Sequence, residues 1–168
     1  MIANLLVAVN GATSLGGKST PLSTPADRQK FLQLRSEAQA VIIGGATYRS
    51  EPYSSLPIKL YVSSTTLQSI STAGLLIAPE PPQEILYRAI QESGSPVLVE
   101  GGPKFLAPLI NDALIDELHI TRVPKTGDGD FFDEIALKER YQLTDEQQVA
   151  ETIFQIWEPK VSRTQQSE

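Results

Sequence analysis

Glu100, Gly101 and Gly102 are the residues whose types and order most directly suggest chemistry. They follow the apolar run Val97-Leu98-Val99 and precede Pro103 and Lys104. The run is short, β-branched and preceded by Ser93-Gly94-Ser95-Pro96, a turn signal, so it reads as a buried strand. Phe105, Leu106, Leu109, Ile110 and Leu114 then recur at helical spacing, which predicts a helix. Glycines without a Cβ let an anion reach the backbone, and free N–H groups at a helix start favour a phosphate there. Glu100 would stand at the carboxyl end of the strand, beside the crevice in which α/β sheets hold ligands. A tight strand-to-helix turn with an exposed Glu fits the same residues, because a Gly-Gly pair is weak as a motif.

Two further stretches carry candidate groups. Asn10 to Thr24 is rich in Gly, Ser and Thr, holds Lys18, and follows an apolar strand over Ile2 to Val9. A long open loop in that place is more often functional than not. It ends in a helix start: Thr24 as N-cap, Pro25 in the first helical position and Asp27 in the first turn. Asp27 there fits a charge favoured by the helix dipole.

The elements that must position these groups alternate along the chain. After the first strand comes a helix with Phe31, Leu32, Leu34 and Ala38 on its apolar side, then a strand at Val41 to Ile43 ending in Gly44-Gly45-Ala46-Thr47. Strands follow at Pro57 to Ser63, closed by Ser64, and at Leu75 to Ala78, then a helix over Pro82 to Ser93. Beyond the Glu100 stretch, Ile115 to Val123 reads as a strand, Lys125 to Asp130 as a loop, and Tyr141 to Val149 with Glu151 to Glu158 as an antiparallel pair. The pattern predicts an α/β fold with a mainly parallel central sheet flanked by helices and antiparallel C-terminal strands. One domain is expected over residues 1–160, with a polar tail over 161–168.

Composition narrows the classes. A net charge of −6 argues against a nucleic-acid surface. The chain has no Cys and one His, His119 inside an apparent strand, so no metal site is expected. No apolar run approaches the roughly 18 residues of a membrane span, and no basic region precedes the first apolar stretch. A cytoplasmic protein acting on a small molecule is the expectation.

Three segments resemble one family. Arg35 to Arg49, with Ala38, Ala40, Gly44, Gly45, Thr47 and Arg49, is similar to a conserved segment of the RibD C-terminal family, the reductase domain of riboflavin biosynthesis. Val99-Glu100-Gly101-Gly102-Pro103 is similar to that family's Glu-Gly-Gly turn, and Leu114 to Thr121 looks like the strand that follows it. The resemblance spans about Leu5 to Phe132 and places the chain in the dihydrofolate-reductase-like superfamily. It implies an NADPH-dependent reductase, often a homodimer, acting on a pyrimidine ribosylamine phosphate or related heterocycle. It also implies that Gly44, Gly45, Ala46 and Thr47, with Gly101, Gly102, Pro103 and Lys104, flank the cofactor diphosphate. Ser63 and Ser64 would lie near the adenosine ribose and its 2′-phosphate, and Ala8 near the nicotinamide. Glu100, Lys18 and Asp27 are the implied catalytic groups, and Lys18, Asp27 and Glu51 the implied substrate contacts. Gly16 stands where the family's loop has an acid, and Arg49-Ser50-Glu51-Pro52 shortens another of its motifs. The sister family, dihydrofolate reductase, is the alternative. Pro21 to Asp27 falls on its pterin-binding segment, with Leu22 in place of a tryptophan and Gly45 in place of a basic residue that often follows the first glycine there. A non-catalytic nucleotide-binding protein is the third reading.

Overall fold

The computed structural model describes residues 1–51, 53 and 56–160; the expected tail over 161–168, and Pro52 of the shortened motif, lie outside the described residues. Six strands run parallel: β1 (Ile2–Ala8), β3 (Ala40–Gly44), β4 (Lys59–Ser63), β6 (Leu75–Ala78), β7 (Val97–Glu100) and β8 (Glu117–Val123). Antiparallel β11 (Thr152–Pro159) and β10 (Tyr141–Val149) extend one edge, and β5 (Ile70–Ser71) closes the other. The sheet order is β10-β11-β8-β1-β7-β3-β4-β6-β5. Val41, Ile42 and Ile43 of β3 are all fully buried, because helices cover both faces of a central parallel strand.

The helices divide between those faces. Leu34 of α1 (Pro25–Glu37), with Ala38 just beyond its end, packs on Val41, Ile43, Leu60, Val62 and Leu98. On the opposite face α3 (Pro82–Ser93) and α4 (Pro103–Asn111) bury Ile85, Leu86, Leu106 and Leu109 against Ala3, Leu5, Ile42 and Val99. Strand β7 pairs with β1 only from Ile2–Leu98 to Asn4–Glu100, whereas β1 continues beside β8 to Ala8–Val123. Past Asn4, then, β1 has lost β7 as a neighbour and runs on beside β8 alone. No helix among the described residues is long and apolar enough to cross a membrane.

Several elements differ from expectation. The loop after β1 is ordered: β2 (Ala12–Ser14) pairs with β9 (Gly129–Phe131), and Leu15 and Lys18 then close a tight turn. Gly16 and Gly17 form that turn with φ of 60° and 76°, which suits the left-handed turn of a short hairpin and explains a glycine where the family has an acid. A short helix, α2 (Gly45–Ser50), follows β3 directly, and α5 (Glu134–Arg140) is capped by Asp133. Helix α4 stops at Asn111, so Leu114 packs on the core from beyond it, after Ala113 at φ 51°. Leu32 of α1 is 49% exposed, because the helix lies on the sheet through Leu34. In β11 Thr152, Gln155 and Trp157 are buried, and Phe154 and Ile156 are half-covered.

Candidate functional site

Asp27 is where sequence and geometry agree most closely. Thr24 caps α1 by accepting from the Asp27 amide at 3.2 Å, as its position before Pro25 predicts. The cap turns the Asp27 side chain inward, where it is 6% exposed. Ser23 Oγ donates to Asp27 Oδ2 at 2.5 Å, and Thr121 of β8 is the second hydroxyl close enough to act on the carboxylate. Burial raises the Asp27 pKa above the ordinary carboxylate value, against the opposing pull of these hydroxyls and of Arg28 and Lys125. Lys125 in turn donates to the carbonyls of Pro21 (3.0 Å) and Ser23 (2.9 Å), fastening the segment before α1.

Asp27, Phe31 and Arg35 are spaced by four and therefore form one stripe of α1. The Arg35 guanidinium lies 4.2 Å from the Phe31 ring centroid, and Arg28 lies 5.2 Å from the same ring. At the foot of the stripe is Glu100. The expectation of a carboxylate open to the crevice does not describe it: Glu100 is 4% exposed. Arg35 Nε and Nη2 donate to its two oxygens at 2.7 and 2.6 Å, and the Tyr53 hydroxyl donates at 2.9 Å. Burial and the adjacent Glu100 charge keep the Tyr53 hydroxyl protonated and donating. A bidentate pair of this kind fixes orientation as well as charge. It therefore pins α1 to the end of β7 and sets where Phe31 and Asp27 sit.

A second group gathers along the ends of β3, β4, β6 and β7. Gly44, Ser63 and Ala78 are level in register, so Gly44 to Thr47, Ser63 to Thr66, Pro79 to Pro82 and Gly101 to Lys104 emerge at one edge. Gly45, Ala46, Arg49, Ser63, Ser64 and Glu80 are among the residues lining a cavity of about 410 Å³ there. The glycines serve different ends. A Cβ at Gly101 would meet the Phe105 ring at 2.5 Å, and one at Gly44 would meet it at 3.1 Å, so both make room for α4 to pack. Gly102, the N-cap of α4, has nothing within 4 Å of a Cβ and is open to an approaching ligand. Ser63 turns its hydroxyl to the Glu80 carbonyl at 2.6 Å, while Ser64 lines the cavity. Pro103 opens α4, and the Lys104 side chain is 93% exposed, with Asp130 at 3.9 Å.

Lys18 is exposed on the Gly16-Gly17 turn. Glu51, after α2, accepts from Ser19 N and Oγ at 3.0 Å each and from Thr20 Oγ1 at 3.4 Å. It thus ties the segment bearing Lys18 to the end of α2. Ala8 ends β1 level with Val123 of β8 and is buried. Arg35, Tyr53, Phe31, Thr121 and Arg49 are the site residues that the sequence reading left without a role. Asp27, Phe31 and Arg35 share the spacing of one helix face, and that periodicity is the signal that could have exposed two of them.

A model of the RibD C-terminal domain family matches residues 1–154. The chain belongs to this family. No curated protein sequence matches it significantly. Among solved structures, a pyrimidine reductase-like protein from Corynebacterium diphtheriae superposes with a TM-score of 0.74 at 19% identity, covering 96% of this chain and 92% of that one. A diaminohydroxyphosphoribosylaminopyrimidine deaminase/5-amino-6-(5-phosphoribosylamino)uracil reductase from Thermotoga maritima gives 0.74 at 13% identity, over 95% of this chain and 56% of that one. The RibD-family chain thus spans a little over half of the Thermotoga protein. A dihydrofolate reductase from Enterococcus faecalis, complexed with NADP(H) and RAB-propyl, gives 0.70 at 23% identity, over 94% of this chain and 95% of that one. At such identities the likeness concerns the fold, which is the dihydrofolate-reductase-like α/β fold expected from the sequence.

Proposed function

We propose that this RibD-family chain is an NADPH-dependent reductase of a pyrimidine ribosylamine phosphate or a closely related heterocycle. One observation carries the reading. The Gly44 to Thr47, Ser63-Ser64 and Gly102 to Lys104 segments leave adjacent parallel strands at the same sheet end, and Gly45, Ala46, Ser63 and Ser64 among them line a cavity of about 410 Å³. Gly102 offers a bare backbone at the start of α4, a nine-residue helix, so the residues present fit a dinucleotide diphosphate. The nicotinamide supplies the hydride when bound. Everything else falls to the chain.

Asp27 holds a proton more readily than a solvated carboxyl and can pass it to the reduced centre. Phe31 offers a half-buried ring face for a heterocycle to lie against. Arg35 and Glu100 act by holding α1, so Glu100 is a positioning residue in this scheme. Lys18 and Arg28 offer cations to a substrate phosphate, and Glu51 keeps the Lys18 segment over the crevice. The test is nicotinamide oxidation with a pyrimidine ribosylamine phosphate. Turnover that Asp27→Asn abolishes supports the scheme; NADPH binding without turnover across heterocycles makes the chain a nucleotide-binding protein instead.

A specific observation favours dihydrofolate as a second substrate class. Asp27 is a buried carboxylate in the first turn of α1, with Ser23 donating to it, in the segment where the folate enzymes resemble this chain. Tight binding of an antifolate that competes with substrate would favour that reading, and no binding would remove it. We also propose a homodimer, which light scattering tests directly.

A further inference from the structure

We propose that the trough between α1 and the β8-β11-β10 edge binds an uncharged, nucleobase-like heterocycle, a planar ring carrying both N–H and C=O groups. None of Asp27, Phe31 and Arg35 lines this trough, and the proposal does not depend on the dinucleotide reading. Ala26, Gln29, Lys30 and Gln33 recur at the spacing of one helix face, and that face forms one wall. In register, His119 of β8 pairs with Ile156 of β11 and Thr121 with Phe154, so these side chains form the floor. Asp145 and Gln147 of β10 pair with Ile156 and Phe154 in turn and form the far wall. Between the walls is a cavity of about 340 Å³, room for a one- or two-ring base. Thr24 Oγ1 and Thr152 Oγ1 share a hydrogen bond of 2.8 Å that ties the start of α1 to β11.

The lining sets the class of ligand. His119 is 7% exposed, and its Nε2 lies 3.0 Å from Glu117 Oε2. A carboxylate accepts, so Nε2 carries the proton and Nδ1 keeps a bare lone pair, with no partner among the described residues. Burial holds the ring neutral. A buried acceptor of this kind calls for an N–H from the ligand. Gln29 and Gln147, whose side chains have no partner among the described residues, offer both an NH2 group and a carbonyl. Gln33 gives its NH2 group to Glu37 at 3.1 Å and has its carbonyl left. Phe154 and Ile156 are half-covered and present an apolar surface to the plane of a ring. Charge disfavours an anion: Lys30 is the cation of the wall, whereas Asp145 in the far wall and Glu37 and Glu117 around His119 are carboxylates.

Titration of the isotope-labelled full chain with uracil, hypoxanthine and orotate, followed by amide NMR spectra, tests this. The side-chain NH2 signals of Gln29, Gln33 and Gln147 should shift with both bases and saturate at about millimolar concentration or below. Orotate, a uracil bearing a carboxylate, should bind about tenfold more weakly than uracil. Gln147→Trp fills the trough from an exposed position, so the fold stands, and it should abolish the shifts at Gln29 and Gln33. His119→Phe removes the acceptor and should weaken them about tenfold. Unmoved glutamine signals, shifts confined to the Asp27, Phe31 and Arg35 stripe, orotate binding as tight as that of uracil, or shifts that survive Gln147→Trp would overturn the proposal.

Discussion

Replacing Glu100 with Gln separates an anchoring carboxylate from a reacting one. Both Glu100 oxygens are engaged by Arg35, and one also by Tyr53. The side chains are 5% and 19% exposed. A glutamine keeps one acceptor but presents an NH2 group to the guanidinium and leaves Arg35 without a counter-charge. Removing one partner of a buried pair costs about 3–5 kcal/mol; the residual exposure of Arg35 puts this case near the lower end, at about 3 kcal/mol. For a chain of this length, about 2–4 °C per kcal/mol translates that into a drop in Tm of about 6–12 °C. Thermal unfolding followed by far-UV circular dichroism measures it. Arg35→Met with Glu100→Leu should cost less than Glu100→Gln alone, because it removes both charges together. Turnover of Glu100→Gln, measured well below its Tm, should fall only several-fold. An unchanged Tm with a hundredfold loss of turnover would refute this reasoning and return Glu100 to the chemical step.

Asp27→Asn should lower turnover by about a hundredfold or more, the range of a positioned acid–base group. It should not reduce stability at neutral pH. Because folding raises the pKa of Asp27, the folded state binds its proton more tightly. Its contribution is thus greatest below the ordinary value of 3.8 and is lost as pH climbs through the raised one. His119 behaves oppositely in charge: burial lowers its pKa below 6.5, the Lys30 charge adds to the fall, and the Glu117 hydrogen bond opposes it. Stability should fall as pH drops from about 6.5 through the lowered value, and His119→Gln should flatten that slope in urea titrations. Glu51→Ala removes the acceptor of Ser19 and Thr20, so limited proteolysis should cut faster between Leu15 and Pro21. Unchanged cutting would mean that the β2–β9 pairing and the Gly16-Gly17 turn hold the segment unaided.

Much of this molecule is written locally. Thr24, Pro25 and Asp27 specify a helix start within four residues, and the Val41 to Ile43 and Val97 to Val99 runs specify buried strands by composition alone. The strand ends that carry Gly44, Ser63 and Gly102 follow from those elements. What was not legible depends on residues far apart in the chain. Glu100 looks exposed after a strand until Arg35, sixty-five residues earlier, is brought against it. Gly101 looks like a ligand-facing glycine until Phe105 folds over it. β2 has only three residues, and its partner β9 lies more than a hundred positions downstream, so no local pattern announces either.

The idea on which the whole functional reading rests is that a dinucleotide lies across the ends of β3, β4 and β7. Hydrogen–deuterium exchange of the full chain, with and without saturating NADPH, measures this most directly. Slowed exchange concentrated at Gly44 to Arg49, Ser63 to Thr66 and Gly102 to Lys104 is the predicted result. Unaltered exchange in all three segments, or protection confined to the β10–β11 edge, would contradict it.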